Sequence, residues 1–291
     1  MPSSTFSFNV PSEFESTEVP IYFTSEDNSP SDAHIDVFVN KVKLRLFIDT
    51  GHGYGTVSLP PSVLNRLEVI YTGGTKENHD FKGQKYESRQ YLLPKVEIGS
   101  LVLDQLPGYE FFSRYDGLGG LIGLVLLNPF NVLIDYPNRK FGLYRKGFYP
   151  DYLKSQGWTK VQLVPPLSLP VKLKDYEETF IFCLDTGVVA VDEERHSYGM
   201  IRSASKLGKL LQQNETLEPD PSDVEVLGKF NADPLRTSCN YRLAPMDFML
   251  VDYKYPKRDG ILGHNFFSKY SVFIDFTQDK IHLCPRTNSA S

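Results

Sequence analysis

One five-residue pattern occurs twice in this chain, and each copy is followed at a similar distance by a second shared block. Phe47-Ile48-Asp49-Thr50-Gly51 returns as Cys183-Leu184-Asp185-Thr186-Gly187. The later blocks are Gly120-Leu121-Ile122-Gly123 with Phe130-Asn131-Val132-Leu133-Ile134-Asp135-Tyr136, and Gly260-Ile261-Leu262-Gly263 with Tyr270-Ser271-Val272-Phe273-Ile274-Asp275-Phe276. Asp49 precedes Gly120 by 71 positions and Asp185 precedes Gly260 by 75, while 12 positions separate Gly123 from Asp135 and Gly263 from Asp275. An ordered pair of motifs at matched spacing marks an internal duplication. The chain is therefore expected to fold as two related units, each offering one carboxylate.

The 291 residues allow two units of ~145, each long enough for its own core. The repeat divides them into residues 1–150, with 1–20 as an extended lead-in, and 151–291. Lys146-Gly147-Phe148-Tyr149-Pro150 and Gly157 read as the linker. A net charge of -5 gives no electrostatic reason to expect nucleic acid or an anionic membrane as partner. No apolar run reaches the ~18 residues of a membrane helix, and no basic-then-apolar leader is visible, so a cytoplasmic protein is expected. Cys183, Cys239 and Cys284 are an odd set without metal-like spacing, which fits reduced thiols. The sequon Asn214-Glu215-Thr216 reads as accidental in that setting.

Local patterns predict an all-β chain with a few short helices. Val37–Val39 and Val42–Ile48 alternate around Asn40-Lys41 as a hairpin that delivers the first Asp-Thr-Gly. Residues 58–69 carry Val63, Leu64 and Leu67 at helical spacing, and residues 201–213 do the same with Ile201, Leu207, Leu210 and Leu211. Residues 86–98, 163–173, 179–184 and 245–252 read as strands, and 214–223 as a surface loop.

Apolar-apolar-Asp-Thr-Gly followed by Gly-apolar-apolar-Gly and apolar-Asp-aromatic, twice over, resembles the lobes of aspartic peptidases of the pepsin-like and retropepsin-like kind. The resemblance spans roughly residues 35–285. It implies a bilobal acid-protease fold, two duplicated β-barrel-like lobes with the active site at their interface, and a cleft for an extended protein or peptide substrate. Asp49 and Asp185 are then the catalytic pair of an aspartic endopeptidase. Thr50 and Thr186 are expected to bond across the interface, and Gly51 and Gly187 to let amides approach the carboxylates. A mobile hairpin would lie over the cleft, with Tyr86 or Tyr71 as its aromatic.

The chemistry explains why such an enzyme needs two acids. Peptide hydrolysis without a metal or a nucleophilic side chain needs a base for water and an acid for the carbonyl oxygen. Two adjacent carboxyl groups supply both, because they cannot both ionise cheaply and so retain one shared proton.

The residue after each motif departs from the family pattern. Pepsin-like enzymes carry Ser or Thr there and retropepsins commonly Ala, whereas this chain has His52 and Val188. Val188 offers no hydroxyl to the carboxylate, so a mildly acidic to neutral working pH is expected. A protonated His52 would favour ionisation of the pair; a rim or structural His52 would not. His52, Tyr86 and Val188 are also the candidate substrate contacts. Asp135 and Asp275 read as structural acids. No zinc spacing, dinucleotide fingerprint or Gly-x-Ser-x-Gly elbow is present, so neither metal nor cofactor is expected. Both acids lie on one chain, so a monomer suffices. The alternative reading is an inactive module of the same fold that holds extended peptides, with His52 and Val188 marking lost catalysis.

Overall fold

The computed structural model describes residues 8–25, 30–53, 55–79, 84–111, 119–155, 157–174, 176–213, 226–233, 235–254 and 257–286. The expected surface loop at 214–223 and the sequon lie outside them. The architecture is two eight-stranded sheets, one from each half of the chain, and a six-stranded sheet that joins the halves.

The joining sheet is built on the repeated apolar-Asp-aromatic blocks. Its strands run in the order Ser16–Pro20, Lys140–Arg145, Phe130–Asp135, Tyr270–Asp275, Lys280–Pro285, Thr159–Gln162. The two central strands are the duplicated copies, paired antiparallel with Leu133 opposite Phe273. Asn131 faces Asp275 and Asp135 faces Ser271, so equivalent positions exchange partners about that central pair. A local two-fold relation follows from the sequence repeat itself.

In the first half, Ala33–Val39 and Val42–Asp49 form the expected hairpin. Asn40 and Lys41 both take positive φ (48° and 70°), as a two-residue turn matched to the strand twist requires. Ile35, Val37, Val39, Leu46 and Ile48 are buried, as alternation predicts. The short strand Leu121–Gly123 lies between Val42–Asp49, to which it is parallel, and Val57–Leu59, to which it is antiparallel. Gly120 enters it with φ 121°, and a β-carbon there would stand 2.6 Å from Leu59 Cδ2 and from the Ser58 carbonyl oxygen, a place where only glycine fits. The second half repeats the arrangement, with Gly260–Leu262 between Phe180–Leu184 and Ser197–Arg202.

Several local expectations change. The predicted helix at 58–69 is a strand, Val57–Leu59, then a single turn of helix, Pro61–Leu64. Pro60 and Pro61 start that turn, and contacts with the sheet claim the residues before them. The helix expected at 201–213 spans Lys206–Gln213; Ile201 belongs to the strand Ser197–Arg202, and the Ser205 hydroxyl caps the Gly208 amide at 3.0 Å. The stretch 163–173 is strand only from Ser168, because 163–167 turns through two prolines. The expected linker is not bare: Tyr149, Tyr152, Leu153 and Trp158 pack on Leu133, Tyr144 and Phe273 of the joining sheet. Ser16–Pro20 is that sheet's edge strand.

Asp135 and Asp275 each close the turn after their strand. Asp275, almost fully buried, accepts the amides of Thr277 (2.9 Å) and Gln278 (3.1 Å) and the Tyr149 hydroxyl (2.6 Å). Asp135 accepts the Ser271 hydroxyl of the other half at 2.7 Å and the Asn138 amide at 3.0 Å. Removing such a carboxylate leaves buried donors unpaired. Asp275→Ala is therefore expected to lower unfolding free energy by about 3 kcal/mol in a urea melt, whereas a change within about 0.5 kcal/mol would show that these bonds do not hold the joining sheet.

Candidate active site

Each Asp-Thr-Gly loop sits at the end of a strand whose last apolar residues are buried, Val42–Asp49 or Phe180–Leu184, and the loops meet across the interface between the halves. The threonines interlock. The Thr50 amide donates to the Thr186 hydroxyl and the Thr186 amide to the Thr50 hydroxyl, both at 3.0 Å. The Thr50 hydroxyl donates to the Leu184 carbonyl at 2.9 Å, and the Thr186 hydroxyl to the Ile48 carbonyl at 2.7 Å. Both threonines are buried, so water does not compete for these bonds.

This interlock brings Asp49 and Asp185 within hydrogen-bonding reach of each other. The His52 amide donates to Asp49 Oδ1 at 2.8 Å and the Gly187 amide to Asp185 Oδ1 at 2.9 Å. The Gly51 amide bonds in the same place. A side chain at Gly51 would collide with the Asp185 carboxylate, and one at Gly187 would stand 2.7 Å from Asp49 Cγ. Both positions need glycine because a carboxylate occupies the space.

Burial raises the pKa of both carboxyl groups, and for Asp49 the charge of Asp185 adds to the rise. The surrounding amides oppose it but do not cancel it. The pair therefore holds a proton into the range where an ordinary carboxyl has lost one, and the titration belongs to the pair.

The dyad lies at the bottom of a cleft of about 620 Å³. His52, Tyr86 and Val188 all line it, as do Thr50, Gly51 and Gly187. Tyr86 comes from the hairpin Ile70–His79 and Lys85–Ile98, whose tip lies outside the described residues. Tyr71, the competing aromatic, stands outside the cleft, with its hydroxyl on Glu110 at 3.2 Å and Arg89 over its ring. His52 is not a cation near the dyad. Burial, with the charge of Lys76, pushes its imidazole down to about 4, and its Nε2 pairs with the Ser58 hydroxyl at 3.1 Å. Val188 lines the cleft and its carbonyl accepts the His264 amide at 3.0 Å; as a valine it brings no hydroxyl to Asp185.

Further lining residues lie outside the repeated blocks, namely Gly53, His79, Leu124, Pro166, Ser168, Lys257 and Arg258, while Cys183 comes from the second copy of the five-residue pattern. Leu124 adjoins a repeated block and Cys183 belongs to one, which is the sequence signal for these two. A second hollow of about 540 Å³ shares Gly53, Leu124 and Pro166 with the cleft and continues it over Leu167 and Phe276. Cys183, Cys239 and Cys284 are all free thiols. Among the described residues no cluster of three or more metal-ligating side chains occurs, and no helix is long and apolar enough to cross a membrane.

No protein-family model matches the sequence, and no curated protein resembles it in sequence. The fold does have solved counterparts. The aspartic proteinase from Irpex lacteus superposes with a TM-score of 0.59 at 12% identity, covering 95% of this chain and 99% of that one. The chain thus has the bilobal all-β fold of an aspartic proteinase.

The buried dyad carries a stability cost with a definite sign. Because the folded pKa of Asp49 is raised, the unfolded state releases a proton that the folded state keeps, and stability falls as pH rises from about 4 through the folded pKa. Asp49→Asn removes that slope. The variant is expected to be more stable than wild type at neutral pH by about 1 kcal/mol or more, with the gain gone at about pH 3. A variant less stable than wild type at both pH values in paired urea melts would contradict this.

Proposed function

We propose that the protein is an aspartic endopeptidase that hydrolyses peptide bonds with a water activated by Asp49 and Asp185. What carries the reading is the meeting of the two carboxyl groups in one cleft. A binding module has no use for buried, mutually repelling acids whose ionisation costs stability. Residues 1–150 and 151–291 act as the two lobes, each giving one acid, and one chain is sufficient for the site.

In the working state one carboxyl group is ionised and its neighbour keeps the shared proton. The carboxylate takes a proton from water as the oxygen attacks the peptide carbon, and the protonated partner gives its proton to the carbonyl oxygen. The resulting gem-diol collapses when the amine leaving group is protonated. Base and acid are properties of the pair and are not divided between Asp49 and Asp185. Thr50 and Thr186 are positioning residues, since they fix the separation of the carboxyl groups and touch no reacting atom. Tyr86 and Val188 contact the substrate, and the hollow beyond Leu124 gives an extended chain room to continue.

The pH dependence follows from the same pair. Activity needs one proton on the dyad, so it fails when both groups are protonated and again when both are ionised. With both pKa values raised, the maximum belongs in the mildly acidic to neutral range. Val188→Thr would add a hydroxyl donor to a carboxylate and move the acid limb of the profile to lower pH. An unmoved limb in a folded, active Val188→Thr protein would mean that this position does not tune the dyad.

The reading is tested by incubating wild type, Asp49→Asn and Asp185→Asn with a mixed peptide library from about pH 3 to pH 8. Either substitution is expected to lower cleavage by about 10²–10⁴-fold with the fold intact. Equal cleavage by all three proteins would overturn it, whereas a wild-type maximum near pH 2 would contradict only the tuning assigned to Val188.

A further inference from the structure

The cleft lining includes a lysine and an arginine and, among the described residues, no acid outside the dyad, although the chain as a whole carries a net charge of -5. Among the described lining residues the only acids are Asp49 and Asp185, which together hold a proton, whereas Lys257 and Arg258 both face the cavity. Arg258 is fixed in place: its Nε donates to the Ser168 hydroxyl at 3.2 Å and its Nη2 to the Pro165 carbonyl at 3.0 Å. Both partners are neutral. The guanidinium is therefore positioned without an ion pair among the described residues, where its Nη1 also makes no hydrogen bond. Lys257 adds a second positive charge on the same rim.

The place of this charge relative to the dyad can be read from the strands. Ser168, which holds Arg258, pairs in register with Cys183, and the Arg258 charge is felt at the Cys183 thiol. Cys183 lies two strand positions before Asp185, a distance of ~7 Å. An extended peptide advances ~3.3 Å per residue, so the guanidinium meets a side chain about two to three positions from the bond between the dyad carboxyls. A planar fork already anchored on one edge suits a carboxylate better than any other common side chain, and loses little entropy in binding it.

Resting on the peptidase reading, we infer that the cleft selects peptides with a glutamate or aspartate two to three residues from the bond cut, held by Arg258 with Lys257 beside it. Leu124, Val188 and Pro166 give the lining an apolar part, beside the polar His52, His79 and Tyr86. The substrate class is thus an apolar segment with an acidic residue at one set distance. The opposite charge at that position is rejected.

The test uses peptides in which Glu, Gln or Lys is scanned through four positions on each side of an apolar pair, with wild type, Arg258→Gln and Arg258→Glu. At one position Glu is expected to exceed Gln in kcat/KM by about tenfold, and Lys to fall below Gln. The Glu preference should shrink at high salt and vanish below about pH 4, where the peptide carboxyl is neutral. Arg258→Gln should level Glu with Gln, and Arg258→Glu should favour Lys. Affinities of reduced-bond analogues for unmodified wild type, read by fluorescence anisotropy, measure the same preference without cleavage or a variant. Equal rates at every position, or a Glu preference that persists in Arg258→Gln, overturns the acidic specificity and leaves the peptidase reading standing. A wild type that cleaves nothing removes the peptidase reading, and the analogue affinities then decide the specificity: a tenfold Glu preference supports it and equal affinities overturn it.

Discussion

The reciprocal bonds between Thr50 and Thr186 are the constraint on which the site depends. Each hydroxyl accepts the other loop's amide and donates to the carbonyl before the other loop's aspartate. A hydroxyl is both donor and acceptor, so one small side chain per loop can do both jobs. Buried and fully satisfied, the network leaves the loops no second arrangement of similar energy. The aspartates one residue earlier are then forced together, and the glycines one residue later vacate the volume the carboxylates fill.

The same duplication acts at two depths. Near the surface of the interface it pairs the loops, and beneath them it pairs Phe130–Asp135 with Tyr270–Asp275 about Leu133 and Phe273. Covalent lobes alone would hinge. A continuous sheet of six strands through both halves, with Ser271 reaching across to Asp135, resists that motion. The stiffness matters because the energy of forcing two acids together must be borne by the scaffold, and the raised pKa values of Asp49 and Asp185 record that strain in electrostatic form.

What was legible in the sequence follows from what repetition can reveal. A repeated block identifies equivalent positions, so the two loops and the structural character of Asp135 and Asp275 were readable from the sequence, whereas the pairing of the repeated strands into one joining sheet is set by contacts between the halves. Local periodicity was less informative where a short segment had competing partners. Ile201 fits a helical stripe, yet it pairs with Leu250 in a sheet, and Val57–Leu59 is drawn into strand pairing by Leu121–Gly123. His52 was ambiguous because its charge depends on burial, which no local pattern reports; folding against Ser58 and Phe111 keeps it neutral. Arg258 was invisible for a related reason. It stands just ahead of the Gly260 block, next to Asp259, whose amide donates to the Ile181 carbonyl, but the turn of the Arg258 side chain toward Ser168 is a tertiary event.

The central claim is that Asp49 and Asp185 share one proton in a site built to keep it. Neutron diffraction from deuterium-exchanged crystals at near-neutral pH tests this most directly, since it locates the proton itself. A single deuteron between the two carboxyl groups is expected. Two bare carboxylates, or two carboxyl groups too far apart to share a hydrogen bond, would contradict it.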